Sequence, residues 1–389
     1  MTVSQSEGTW PSFSDEEILA AERVLRSGRV NYWTGTECKE FEEEFARYHG
    51  AGHAISLANG TLALELALRC LDIGAGDEVI VTPRSYFASA SCVVQSGATP
   101  VFAEVDSETQ NISARTIEQK LSVRTKAIIP VHLAGWPCDM SEIMELARGH
   151  DLKVIEDCAQ AHGAKLRDEP VGSFGDFAAF SFCQDKIMTT AGEGGMLLTD
   201  DSDLWRRAWE FKDHGKSMPR VHSDDHPIGF RWLHEGFGSN WRMTEVQAAI
   251  GRIQLKKLDE WVSQRRANAA RFRQELDGLP ALRIPMPESH EYHSYYKFYA
   301  FVRPELLRRD WSRDRILSSF QEHGVPGLSG ACPEIYLERA FAKETIERLP
   351  VAQALGETSM MFLVHPTLTA AQLDATVSVV RRVMSEATA

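Results

Sequence analysis

A chain of 389 residues, 43% hydrophobic and 25% charged with a mean hydropathy of −0.27, has the make-up of a soluble globular enzyme with room for two domains. Its 42 basic and 55 acidic residues leave a formal charge of −13, which repels polyanions and argues against nucleic acid or an anionic membrane as partner. Seven scattered cysteines without a CxxC pair fit free thiols in a reducing compartment. There is no charged-then-apolar leader and no apolar run near the roughly 20 residues a membrane span needs, so the expected location is cytoplasmic.

Along the chain, short β-rich runs alternate with helical spacing from about residue 53 to 200. The predicted strands are His53–Leu57, Glu78–Thr82, Pro100–Glu104, Ala127–Val131, Lys153–Glu156, Phe177–Phe182 and Gly195–Thr199. Between most of them apolar residues recur at helical intervals, as in Leu62-Ala63-Leu66-Ala67 and Ile143-Leu146-Ala147. That rhythm predicts an α/β fold with an open, mostly parallel seven-stranded sheet. The loop 183–194 holds no helix, so the last strand is expected to run antiparallel. A long helix is predicted over 244–270, with Thr244 and Gln247 at capping-box spacing. It leads toward a smaller α+β unit that begins near a strand at Tyr296–Val302 and ends in a helix over 371–386. The apolar face of that strand would be Tyr296, Phe298, Ala300 and Val302. The expected division is 1–260, with an N-terminal arm, and 261–389. The stretch His222–Glu235 reads as a polar surface loop.

Ligands of open α/β sheets collect beyond the carboxyl ends of the strands, and several polar residues fall there. Asn59-Gly60-Thr61 closes one strand and opens a helix, so it is either a phosphate cradle or a plain helix cap. Asp157 ends another strand, where a buried carboxylate needs a positive partner or several donors. It is either the counter-charge of a protonated ring nitrogen or the cap of the next turn. Gln160 follows three residues on. Ser181 ends a further strand, with Lys186 five residues later and Gly192-Glu193-Gly194-Gly195 close behind. Those glycines would let the backbone crowd a planar ligand and adopt positive φ. Together a phosphate cradle, a strand-end Asp and a Ser-x4-Lys are what pyridoxal-phosphate chemistry requires.

The run Ile155-Glu156-Asp157-Cys158-Ala159-Gln160-Ala161-His162-Gly163-Ala164, followed by Phe180-Ser181-Phe182, Lys186 and Gly192-Glu193-Gly194-Gly195, resembles the DegT/StrS-type sugar aminotransferases. Asn59-Gly60-Thr61, Gly76-Asp77-Glu78-Val79-Ile80, Pro130-Val131-His132-Leu133 and Asn240-Trp241-Arg242-Met243 match in the same order. The resemblance covers about residues 30–270. It implies the fold type I architecture of pyridoxal 5'-phosphate enzymes. It also implies a Schiff base on Lys186, Asp157 against the pyridine nitrogen, and Gln160 at the phenolic oxygen. Gly60, Thr61 and Ser181 would hold the phosphate, with Asn240 of the partner subunit. Phe87 would stack on the cofactor ring. The implied reaction moves an amino group from an amino acid, usually glutamate, to a keto-sugar nucleotide such as a 4-keto-6-deoxyhexose, in a homodimer with shared sites.

Members with His in place of the lysine dehydrate sugars, and Lys186 speaks against that chemistry. The other alternative is a non-catalytic ligand sensor built on the same fold. Gly74-Ala75-Gly76 precedes a strand and lacks the third glycine of a dinucleotide-binding fingerprint. His222, Asp224, Asp225 and His226 form no metal-ligand spacing, and no metal is expected. The segments 328–336 and 360–366 depart from the family pattern, so no sugar-binding residue is assigned.

Overall fold

The computed structural model describes residues 9–224, 228–344 and 346–389. Helices α1 (Asp15–Ser27) and α2 (Glu37–His49) lead into strand β1 (His53–Leu57), helix α3 (Gly60–Cys70), β2 (Glu78–Val81), α4 (Ala88–Gln95), β3 (Thr99–Phe102) and β4 (Thr125–Ile129). Then come α5 (Met140–Gly149), β5 (Lys153–Asp157), β6 (Phe177–Ser181), β7 (Gly195–Thr199), α6 (Ser202–Lys212) and the long α7 (Glu245–Leu276). The seven strands form one sheet in the order β1-β7-β6-β5-β4-β2-β3. Strand β7 pairs antiparallel with both of its neighbours, and the other pairs in the sheet are parallel. Every predicted strand of this sheet is present, and the last one has the expected opposite direction. The return through 183–194 contains no helix to cross the face of the sheet, which is how parallel neighbours are usually joined.

Strands β2 and β6 carry unbroken apolar stretches, Val79–Val81 and Phe177–Phe180, because both faces of the sheet are covered. Helix α7 starts at the predicted cap: the Thr244 side chain accepts from the Gln247 N–H, and the Gln247 side chain accepts from the Thr244 N–H. It packs along α1 and α2. The buried Glu245 carboxylate on its first turn accepts from the Glu37 N–H at 2.6 Å and from the Cys38 N–H at 3.3 Å, which ties α2 to it.

Beyond α7, strands β8 (Leu282–Arg283), β9 (Phe298–Val302) and β10 (Ser359–Phe362) make an antiparallel sheet in the order β8-β9-β10. Helix α8 (Arg313–Glu322) lies between β9 and β10 in the chain, and α9 (Ala370–Ala387) closes it. The predicted one-sided pattern of β9 is corrected here, since all five of its residues are buried. Phe298, Ala300 and Val302 pack into a cluster with Phe272, Phe320 and Val380, whereas Tyr299 and Phe301 pack into the core of the main sheet. A strand with a core on each side has no solvent face to mark with polar residues. The described part of His222–Glu235 lies at the surface as expected, but it is not wholly polar: Phe230 and Trp232 are 73% and 82% exposed with their rings 4.9 Å apart, and Phe237 just beyond it is 102% exposed. Of the His222–His226 group, Asp225 and His226 lie outside the described residues.

Among the described residues, no helix is long and apolar enough to cross a membrane.

Candidate active site

At the carboxyl ends of β1, β5 and β6 lies a cavity of about 740 Å³, a size suited to a small ligand. Its lining includes Gly60, Thr61, Asp157, Gln160, Ser181 and Lys186, so six of the eight residues singled out in the sequence meet in one place.

The floor comes from the start of α3. Asn59 caps the helix by accepting from the Leu62 N–H at 3.0 Å. The amides of Gly60 and Thr61 have no intrahelical acceptor by geometry, so they remain donors at the positive helix end. A Cβ on Gly60 would stand 2.6 Å from Ser181 Cβ, which explains the glycine: α3 is pressed against the end of β6. Of the glycines after Lys186, Gly195 behaves the same way. Gly192 alone of that run has positive φ, at 111°, and a Cβ on Gly195 would meet Asn59 O at 2.3 Å. Gly195 thus lets β7 close on the start of α3, whereas a Cβ on Gly194 would meet the Thr190 side chain and one on Gly192 would meet nothing.

Asp157 is 4% exposed at the end of β5. Its Oδ2 accepts from the Ser89 hydroxyl at 2.7 Å and its Oδ1 from the Ala159 N–H at 3.1 Å. Ser89 Oγ is itself 3.1 Å from Ser85 Oγ. Burial holds the Asp157 carboxyl above its ordinary range, against the opposing pull of Ser89, Ala159, Lys186 and His132. No ion pair is made to this carboxylate among the described residues, so it waits for a positive partner. Gln160 Oε1 accepts from the Ala134 N–H at 3.0 Å, which leaves its amide nitrogen as the group offered to the cavity.

Lys186 is half-buried, its Nζ 5.0 Å from the centroid of the Tyr296 ring. Its backbone carbonyl accepts from the Trp10 indole N–H at 2.8 Å. Trp10 is wedged against Trp261 at 5.1 Å, stacked on His365 at 6.2 Å and covered by the Arg265 guanidinium at 4.9 Å. The N-terminal arm therefore clasps the lysine loop. Trp10→Phe, which keeps the ring but deletes the donor, should slow cofactor attachment to Lys186 several-fold with a melting temperature within a few degrees of wild type. An unchanged attachment rate, followed by absorbance, would remove this positioning role.

Two of the eight residues lie elsewhere. Phe87 does not line the cavity: its ring meets Phe341 edge-on at 5.9 Å, and its neighbours Tyr86 and Ala88 line the wall instead. Phe87 precedes the first turn of α4 with helical backbone angles, and its ring packs against the main core. Asn240 is exposed and bridges Asp213, outside its own chain's cavity.

Sequence reasoning missed Ser89, Asp185, Tyr296 and Lys297. The Tyr296 hydroxyl donates to Asp185 Oδ2, and Lys297 Nζ is 3.8 Å from that same oxygen. Gly330, Ala331, Cys332 and Met361 complete the wall, with the Ala331 N–H donating to the Tyr299 hydroxyl at 2.8 Å. Small and apolar side chains carry no chemical signal, and only the fold brings them here.

Glu156, next to Asp157, has a structural task. Its buried oxygens accept from the N–H groups of Gly172, Phe174 and Gly175, each at 2.8 Å, and meet His132 Nε2 at 3.1 Å. The His132, Glu156 and Cys158 cluster is thus filled by protein donors rather than arranged around a cation.

Comparison with known proteins agrees with this geometry. The model of the DegT/DnrJ/EryC1/StrS aminotransferase family matches residues 11–381. An aminotransferase structure from Psychrobacter cryohalolentis superposes with a TM-score of 0.95 at 52% identity, covering 98% of this chain and 100% of that one. The GDP-perosamine synthase of Escherichia coli O157:H7 is 35% identical over 93% of this chain and 94% of its own length. The UDP-N-acetyl-3-dehydro-alpha-D-glucosamine 3-aminotransferase of Acidithiobacillus ferrooxidans is 36% identical over 95% and 94%. With the fold type I sheet, the lysine loop and the strand-end aspartate in place, the chain belongs to the DegT/DnrJ/EryC1/StrS aminotransferase family.

Proposed function

We propose that the protein is a pyridoxal 5'-phosphate-dependent aminotransferase that passes an amino group from an amino acid, glutamate by preference, to a keto-sugar nucleotide. One observation carries the reading. A lysine amine and a buried carboxylate without a cation line one cavity, above a helix start whose amides are free. These residues fit the cofactor. The amides of Gly60 and Thr61 and the Ser181 hydroxyl suit its phosphate, Asp157 its ring nitrogen and the Gln160 amide its phenolic oxygen.

When bound, pyridoxal phosphate supplies an aldehyde that condenses with amines and a cationic ring that accepts the electron pair released at the donor carbon. Asp157 would keep that ring nitrogen protonated. Lys186 Nζ would take the α-proton of the amino donor and pass it to the cofactor's C4′ carbon, and in the second half-reaction would take a proton back from C4′ and deliver it to the sugar carbon that receives nitrogen. The small residues 330–332 and Met361 leave space for the sugar.

Exposed Phe230, Trp232 and Phe237 support a homodimer, since apolar side chains of this size gain from cover by a second copy. In that assembly Asn240 of the partner subunit would complete the phosphate site. The division into 1–260 and 261–389 is part of the same proposal; the cluster around Phe272 draws only on residues from Ala269 onward, although Tyr299, Phe301 and Ile335 of the smaller unit pack into the main core. A cytoplasmic location and a 4-keto-6-deoxyhexose substrate belong to the same proposal. The two relatives named above carry different nucleotides, GDP and UDP.

The test is mass spectrometry of products from a panel of keto-sugar nucleotides incubated with glutamate and cofactor. An amino sugar formed from at least one of them is the expected result. A glutamate-dependent spectral change with no amino sugar from any would turn the reading toward a ligand sensor.

A further inference from the structure

Lys297 is the second lysine of the cavity, and none of the chemistry above uses it. It stands just before β9, its side chain 14% exposed, with its Nζ 4.5 Å from the centroid of the same Tyr296 ring that Lys186 approaches at 5.0 Å. Its nearest carboxylate is Asp185, and at 3.8 Å that pair lies beyond hydrogen-bond reach. Asp185 is already engaged by the Tyr296 hydroxyl. Three ammonium donors therefore sit in a largely enclosed cavity with no hydrogen-bond acceptor among the described residues. Burial pushes the Lys297 ammonium down to about 8; Asp185 pulls it up, while Arg265 and Lys186 add to the fall. Such a group gains most from an anion that arrives with a ligand.

We propose that Lys297 is the receptor for the α-carboxylate of the amino donor, placed so that the donor's nitrogen reaches Lys186. The inference rests on the aminotransferase reading. An α-amino acid carries its carboxylate oxygens within about 3–4 Å of its nitrogen, a span fixed by bond lengths. The anion must therefore be met close to the reacting lysine, and Lys297 shares an aromatic ring with it. The diphosphate of a sugar nucleotide is separated from the reacting carbon by part of the sugar ring, so it falls farther from Lys186. Tyr296 is itself fixed at both ends: its hydroxyl donates to Asp185, and its backbone carbonyl accepts from Arg265 Nη1 at 3.2 Å.

Pyridoxal-phosphate-loaded wild type, Lys297→Gln and Lys297→Arg are titrated calorimetrically with glutarate, a dicarboxylate without an amine, and separately with UDP as the phosphate probe. Glutarate should bind Lys297→Gln at least 10-fold more weakly and Lys297→Arg within about 3-fold of wild type, with UDP binding unchanged in all three. The wild-type affinity for glutarate should fall as pH rises through the loss of the Lys297 proton, and that slope should be shallower in Lys297→Gln. The groups facing this ammonium are Asp185, Lys186, Tyr296, Arg265 and His365, all common to the proteins compared. Equal glutarate affinity in wild type and Lys297→Gln overturns the proposal, and so does a loss that falls on UDP. If Lys297→Gln does not fold, the Lys297→Arg titration and the wild-type pH slope decide the matter. Failure of wild type to take up the cofactor would sink the aminotransferase reading instead. Normal uptake with unaltered glutarate binding sinks this inference alone.

Discussion

Lys186→Ala is expected to lower turnover with glutamate and a keto-sugar nucleotide by about 10⁴-fold or more, because in the proposed reaction one amine provides both the cofactor attachment and the proton transfers. The fold should survive. The Lys186 ammonium makes no ion pair among the described residues, and its contact is to the Tyr296 ring. A melting curve close to wild type together with lost turnover is the predicted pair of results. Turnover within 10-fold of wild type would remove Lys186 from the chemistry. Because Trp10 bonds the backbone carbonyl and not the side chain, the loop around residue 186 should stay in place in this variant.

Asp157→Asn should cost at least about 100-fold in turnover, or roughly 2.7 kcal/mol at the transition state. The Asn oxygen can still accept from the Ala159 N–H while the Ser89 hydroxyl turns to accept from the amide, so the local packing is retained, but a neutral side chain no longer favours a proton on the ring nitrogen. Asp157 also makes a prediction about pH. Burial raises its folded value above the ordinary 3.8, so in the unloaded protein the folded state binds more protons than the unfolded one. Stability of the unloaded protein therefore falls as pH rises from 3.8 through the raised value, and the deficit persists above it. A bound cationic ring offsets that deficit. The gap in melting temperature between loaded and unloaded protein should widen between about pH 4 and 8, and Asp157→Asn should flatten it. A gap with the same pH profile in both proteins would show that Asp157 does not face the positive charge.

How much of this was legible in the sequence depended on the kind of constraint. Strands β1 and β7 coincide with their predicted limits, because His53–Leu57 and Gly195–Thr199 are bounded by turn residues that stop a strand on their own. The capping box at Thr244 was readable for the same local reason. Asp157, Ser181 and Lys186 could be found because they are polar residues at strand ends. Phe87 could not be told from Tyr86, since which of two adjacent rings turns toward the cavity depends on the angle at which α4 leaves its loop. Lys297 was hidden because it precedes a strand of another sheet, and only long-range packing brings that strand to the cavity. The burial of both faces of β9 was invisible because each face has a different neighbour far away in sequence.

That two-sided burial has a mechanical outcome. A strand gripped on both surfaces cannot slide without opening apolar contacts on one side or the other, so β9 is a fixed rail between the two sheets. Lys297 sits at the head of the rail, and Tyr299 on it receives the Ala331 N–H. The cavity wall beside the lysine loop thus inherits its rigidity from the interior, and a ligand entering there meets a surface set before it arrives.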